Sequence, residues 1–261
     1  METLLPGSMS HLLPALSGGL VGFSLALIGG GGSILAVPLL VYVVGVRSAH
    51  LAIGTSALAV AVNAFANLLP HGRAGNLHWR PGIAFAGTGV AGALLGSSVG
   101  KAMDGQRLLA LFALLMLVVA FLMVRRGQTR KEGGPRRHPL RLAVIAFGTG
   151  ALAGFFGIGG GFLIVPGLVL ATGMNLLNAV ATSLFSVGSF GLATAFNYAR
   201  SGLVDWPLAF KFILGGLVGG WLGAALAGRL SRRREALTYL FSGTITVVAL
   251  FMLYRTLGVP R

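Results

Sequence analysis

Two passages decide the fold of this chain: IGGGGSILAVPLL at residues 28–40 and FGIGGGFLIVPGL at residues 156–168. Laid on each other at a spacing of 128 residues, they match Gly29 with Gly157, Gly31 with Gly159, Gly32 with Gly160, Leu35 with Leu163, Val37 with Val165 and Pro38 with Pro166. Both lie inside long apolar stretches. Irregular backbone at membrane depth is tolerated only where it is packed in protein or lines a cavity. Matching glycine breaks in two halves are therefore the best sequence pointer to a substrate site in a membrane transporter.

Composition fixes the solvent of the fold. Hydrophobic residues make up 55% of the chain and charged residues 10%, where a soluble domain carries about 25% charge. The partner is a lipid bilayer. The excess of 20 Lys and Arg over 5 Asp and Glu does not indicate nucleic acid, because the basic residues mark the ends of apolar segments, as the positive-inside rule requires. The chain contains no cysteine, which excludes disulfides and thiolate metal sites. Glu2 is the only charge before the first long apolar segment, so no cleavable signal is expected.

Apolar segments fall at 12–28, 34–46, 51–69, 81–100 and 108–124, and again at 142–156, 162–172, 177–198, 207–227 and 236–254. Between the sets lies the basic, breaker-rich RRGQTRKEGGPRRHPLR. The expected organisation is a first transmembrane repeat at 11–125, a basic cytoplasmic linker at 126–139 and a second repeat at 140–255. The repeat extends beyond the glycines. At a spacing of 127, Thr55 and Ser56 meet Thr182 and Ser183, Arg73 meets Arg200, Trp79 meets Trp206, and Gly92 and Gly96 meet Gly219 and Gly223.

The segment at 34–46 would give roughly 20 Å of helix, against about 30 Å of hydrocarbon. Each glycine passage is thus expected to turn a helix hairpin whose tip lies deep in the membrane. If each hairpin returns the chain to the side it entered, three more spans per half leave the halves inverted. Placing the linker inside then puts 13 basic residues inside and 7 outside. The expected fold class is an all-α polytopic membrane protein of two inverted repeats, each a glycine-loop hairpin plus three transmembrane helices.

The chemistry follows from the same passages. Helix starts after the glycine loops offer unpaired amides and the positive dipole end to an anion. Glycine lets a ligand approach the backbone. Gly30, Gly31, Gly32, Ser33, Gly159, Gly160 and Gly161 are the candidate amide donors. The alternative is that small residues only permit close helix packing, the preferred reading for Gly89, Gly92, Gly96, Gly216, Gly219 and Gly223. Thr55, Ser56, Thr182 and Ser183 either donate hydroxyls to the same anion or bond back to their own helices. Asn63 and Asn67 are costly to bury unpaired. Asn197 and Arg200, one turn apart, either face one ligand or make an interhelical bond. No carboxylate falls inside a span, which argues against a cation cage or a midplane proton relay. No metal, cofactor or catalytic constellation is expected.

GIGGGFLIVP, the following ATS at 181–183, GLVDWPLAF at 202–210 and GGLVGGWLGAALAGRL at 215–230 together resemble the TauE/SafE family, also called the 4-toluene sulfonate uptake permeases. The resemblance covers both halves, the second more closely. GGGGS stands in the first half where the second has GIGGG. The resemblance implies a secondary transporter in the bacterial cytoplasmic membrane for sulfite, thiosulfate or organosulfonates, with export common. At residue level it implies only the glycine loops and the Thr-Ser pairs. An anion channel and a non-transporting scaffold subunit are the rival readings.

Overall fold

The computed structural model describes residues 7–73, 75, 77–126, 139–230 and 234–257. Most of the expected basic linker lies outside the described residues. The described residues are helical, with no strand among them. The first half holds α1 (Gly7–Ile28), a composite α2, α3 (Ala49–Arg73), α4 (Trp79–Ala102) and α5 (Gly105–Arg126). The second holds α6 (Pro139–Phe156), α7 (Gly161–Thr172), α8 (Leu176–Ala199), α9 (Trp206–Leu230) and α10 (Arg234–Leu257). Six of these helices are long and apolar enough to cross a membrane. The ten expected segments appear in order.

The first glycine passage corrects one expectation. GGGGSIL is not a loop before a short helix: Gly29–Leu35 is a 3-10 turn, followed by an α turn at Ala36–Pro38 and a π turn at Leu39–Val43. Together these pieces are α2. Pro38 has no amide to donate, and the backbone relaxes into wider turns beyond it, with Val44 N donating to Leu39 O at 2.9 Å. Gly32 lies against the backbone of Ser24 and Leu25. Its counterpart Gly160 lies against Ala153, which matches Leu25 at the same 128 spacing. Both passages fold the chain back onto equivalent turns of the preceding helix.

Packing pairs the halves. The most extensive pairings are α1 with α9 and α4 with α6, then α3 with α8 and α5 with α10. Exchanging the halves turns the first pairing into the second and leaves the other two unchanged. Residue contacts give the directions. Ala15, Gly19 and Phe23 meet Gly215, Gly219 and Gly223, so α1 and α9 run parallel. Gly89, Ala93 and Gly100 meet Gly150, Gly154 and Phe155, so α4 and α6 also run parallel. Gly54, Ala57 and Phe65 meet Tyr198, Gly191 and Gly188, so α3 and α8 run antiparallel.

Helices α3 and α8 form the centre, each 67% buried over its apolar window, against 28–44% for the windows of α4, α5, α6 and α9. The outer helices turn Leu95, Val99, Leu114, Phe210, Val218 and Trp221 outward, as a lipid-facing surface requires. Lipid tails supply no hydrophobic drive between helices, so contact rests on close backbone approach. The glycine pairs of α1/α9 and α4/α6 provide it. A Cβ on Gly219 would enter the backbone of Gly19, which cannot yield as a side chain can. Gly219→Ala is expected to cost about 1–3 kcal/mol by overpacking, read as a fall in melting temperature in detergent. Gly87→Ala, where a Cβ meets nothing within 4 Å, should be harmless.

Candidate functional site

The second glycine passage forms a sharp turn between α6 and α7. Gly157, Gly159 and Gly160 adopt φ of 67°, 64° and 65°, left-handed values that favour glycine over any residue with a Cβ. The turn is buried throughout. Positions 157 and 159 face Ile53 and Val60 of α3 and Val187 of α8. Gly160 caps α7, and its carbonyl accepts from Leu163 N at 2.8 Å and Ile164 N at 2.9 Å. The amides of Gly159, Gly160, Gly161 and Phe162 donate to no backbone carbonyl among the described residues. These are the orphan donors of a helix start, here inside the protein, at the positive end of the α7 dipole. The 3-10 turn of α2, with Gly32 and Ser33 buried, packs against both α7 and α8. The first glycine passage therefore packs, in the interior, on the helix that the second one opens.

Of the matched hydroxyls Ser56 reaches the turn, and all four are engaged. Ser56 Oγ donates to Ile53 O at 3.0 Å and approaches Gly157 O at 3.4 Å. Ser183 Oγ donates to Val180 O at 2.7 Å. Both serine protons are spent on backbone carbonyls. Thr55 Oγ1 accepts from Asp205 N at 3.0 Å, and Thr182 Oγ1 accepts from His78 N at 3.2 Å. Each threonine ties the start of an opposite-half helix, α9 or α4, to the central pair, and each bond leaves the hydroxyl proton available.

Asn197 and Arg200 do not converge on the glycine turn. They end α8, and Asn197 lies ten residues beyond Val187, roughly 15 Å along a helix. Asn197 Oδ1 accepts from Lys101 Nζ at 2.8 Å, and its Nδ2 donates to Ser97 Oγ at 2.7 Å and Ser98 Oγ at 2.9 Å. The group is a polar knot joining the ends of α4 and α8. Arg200 is exposed, its guanidinium 5.9 Å from the Phe196 ring centroid.

Other polar groups near the turn stand out. Asn63 and Ser186 are fully buried, and Asn63 Nδ2, Asn63 Oδ1 and Ser186 Oγ have no hydrogen-bond partner among the described residues. Asn63 lies one helical turn beyond Val60 and packs on Gly216 of α9. Ser186 adjoins Val187. An unsatisfied buried polar group costs about 1–3 kcal/mol. A polar ligand or a water molecule bonded to them would remove that cost.

The profile of the family described as sulfite exporter TauE/SafE matches residues 14–252. The chain belongs to this family. A probable membrane transporter protein of Xylella fastidiosa (strain Temecula1) is 53% identical, covering 92% of this chain and 94% of the relative. The probable membrane transporter protein YunE of Bacillus subtilis is 28% identical over 86% of this chain and 91% of its own length. The probable membrane transporter protein MJ0441 of Methanocaldococcus jannaschii is 28% identical over 93% and 96%. No solved structure matches the chain. The names of these relatives carry membrane transport and no substrate. This TauE/SafE protein is a multi-pass membrane transporter, with six long apolar helices as expected in the bacterial inner membrane.

Proposed function

We propose that the protein is a secondary transporter that exports a small sulfur oxyanion or sulfonate and binds it at the meeting of the two glycine passages. One observation carries the reading: a fully buried turn whose four amides at Gly159, Gly160, Gly161 and Phe162 lack backbone acceptors. Buried donors aimed from a helix start favour an anion without needing a buried cation. Gly30, Gly31, Gly32 and Ser33 close the site from the other half. Thr55 and Thr182 each bring a free hydroxyl proton, and Asn63 and Ser186 supply unpaired polar groups. Ser56 and Ser183 join only by giving up their carbonyl acceptors. Asn197 and Arg200 stand outside the site.

The antiparallel run of α3 and α8, which match each other in the repeat, supports a two-fold axis in the membrane plane. Inverted halves of that kind can exchange conformations, which is the geometry of alternating access. The test is labelled sulfite in proteoliposomes. Saturable flux with counterflow against a gradient is expected. Flux without counterflow would make the protein a channel. Absence of both flux and a sulfite-dependent thermal shift would leave a scaffold.

A further inference from the structure

Two cavities open at opposite ends of the bundle, at positions that the repeat exchanges. The smaller, of about 280 Å³, lies among Pro14, Gly45, Asp205, Pro207 and Lys211. The larger, of about 740 Å³, lies among His78, Arg80, Gly173, Asn175 and Asn178. Gly45 matches Gly173 at a spacing of 128, while Asp205 matches His78 and Pro207 matches Arg80 at 127. Each cavity is thus the same corner of the architecture, where the return helix of one hairpin ends beside the start of the fourth helix of the other half. Helices α4 and α9 run in opposite directions, since α4 follows α8 and α9 follows α3. Their starts, and the cavities beside them, therefore lie at opposite ends.

The two corners differ in charge. The smaller has both the Asp205 carboxylate and the Lys211 ammonium in its lining and is balanced. Among the described residues the larger has no carboxylate in its lining, and it presents the Arg80 guanidinium with His78 beside it. Arg80 is exposed and makes no ion pair among the described residues. His78 Nε2 lies 2.7 Å from Asn178 Nδ2, which locks the start of α4 to the start of α8. Asn175 Oδ1 accepts from Asn178 N at 2.9 Å and fixes that helix start. The His78 and Asn178 side chains are held on this frame, and Arg80 stands beside them in the first turn of α4.

We propose that the larger cavity is a second anion site, at which a small oxyanion or sulfonate is collected on Arg80 and Asn178 before it moves to the glycine turn. The proposal rests on the anion-transport reading above but concerns a separate place. The cavity adjoins the last turn of α7 and the glycine turn its first, 12 residues apart or roughly 18 Å. A planar guanidinium pairs with two oxygens of such an anion. At more than ten times the volume of one water molecule, the space also admits the organic tail of a sulfonate. The face that bears Arg80 also bears the starts of α6 and α10 and the ends of α3 and α9, so an anion gathered there is loaded from the basic side.

Trp79 and Trp206 are matched reporters, 54% and 62% exposed at the starts of α4 and α9. The protein has three tryptophans. Trp206→Phe with Trp221→Phe leaves Trp79 alone, and Trp79→Phe with Trp221→Phe leaves Trp206 alone. Quenching by iodide, divided by quenching by neutral acrylamide, reads the local concentration of anion in detergent. The ratio at Trp79 is expected to exceed that at Trp206 about fivefold, the effect of one nearby unit charge in water. Arg80→Gln should bring it down to the Trp206 value, and Arg80→Lys should keep it. In proteoliposomes Arg80→Gln should raise the half-saturating sulfite concentration on the Arg80 face by a similar factor. A Trp79 ratio no higher than that of Trp206, or one that Arg80→Gln leaves unchanged, overturns the site whatever the flux. The expected quenching contrast in a protein that carries no sulfite keeps the site and overturns the sulfur-anion reading.

Discussion

Gly160→Ala is expected to reduce sulfite flux about a hundredfold while the protein still inserts and purifies as a single species. Position 160 holds φ of 65° and ψ of 14° and caps α7. Alanine in that conformation costs about 1–2 kcal/mol, and its Cβ would press on the Cβ of Ala153. The backbone relieves both by rotating out of the left-handed region, which turns the amides of Gly160 and Gly161 away from their common direction. A charge-assisted hydrogen bond contributes about 1.5–3 kcal/mol. Loss of two such donors at the lower figure gives about 3 kcal/mol, or about a hundredfold in affinity. Gly148→Ala on α6, the helix before the turn, is the control, because a Cβ there meets nothing within 4 Å, and it should leave both flux and melting temperature unchanged. Flux at the unsubstituted level from monodisperse Gly160→Ala would remove the glycine turn from the transport path.

Much of this architecture is legible in the sequence, for a physical reason. Bilayer thickness forces long apolar runs, and charge marks their ends. The segment expected at 177–198 is α8 (Leu176–Ala199), and that at 142–156 ends at Phe156 as α6 does. The first glycine passage was harder to read. Glycine permits a loop and a 3-10 turn equally, and the choice is made by Gly32 closing on Leu25, a contact that no local pattern encodes.

Matching the halves located Thr55 and Thr182 but not their work. Each accepts an amide from a helix about a hundred residues or more away in the chain, a role visible only once α9 and α4 lie beside the central pair. The same matching concealed other groups. Asn63 corresponds to Phe190, and Ser186 to Ala59, so neither forms a matched polar pair. Phe190 is stacked on Phe85 with centroids 6.2 Å apart, while Asn63 lies in the equivalent corner against Gly216 without a partner. A repeat reveals what two halves share. A transporter of one asymmetric substrate also needs residues that they do not share.

Asn63→Leu separates a ligand group from a structural one by the sign of its effect. If Asn63 served only packing through a hydrogen bond, its loss would destabilise the protein. Its amide has no partner among the described residues, so an apolar side chain of similar size removes a penalty of about 1–3 kcal/mol. The substrate-free protein is therefore expected to melt at the same temperature or higher. The rise in melting temperature caused by sulfite should vanish, and flux should fall at least about tenfold, the equivalent of one lost polar contact of about 1.4 kcal/mol. Asn63→Ala guards against a clash of the larger side chain with Gly216, and should lose the sulfite response in the same way. Phe190→Leu, at the matched position, should lower the melting temperature by loss of its stacked ring and leave the sulfite response in place. A sulfite response that survives both Asn63 substitutions would confine the anion to the backbone amides. A melting temperature that falls with both, in step with flux, would make Asn63 a structural residue.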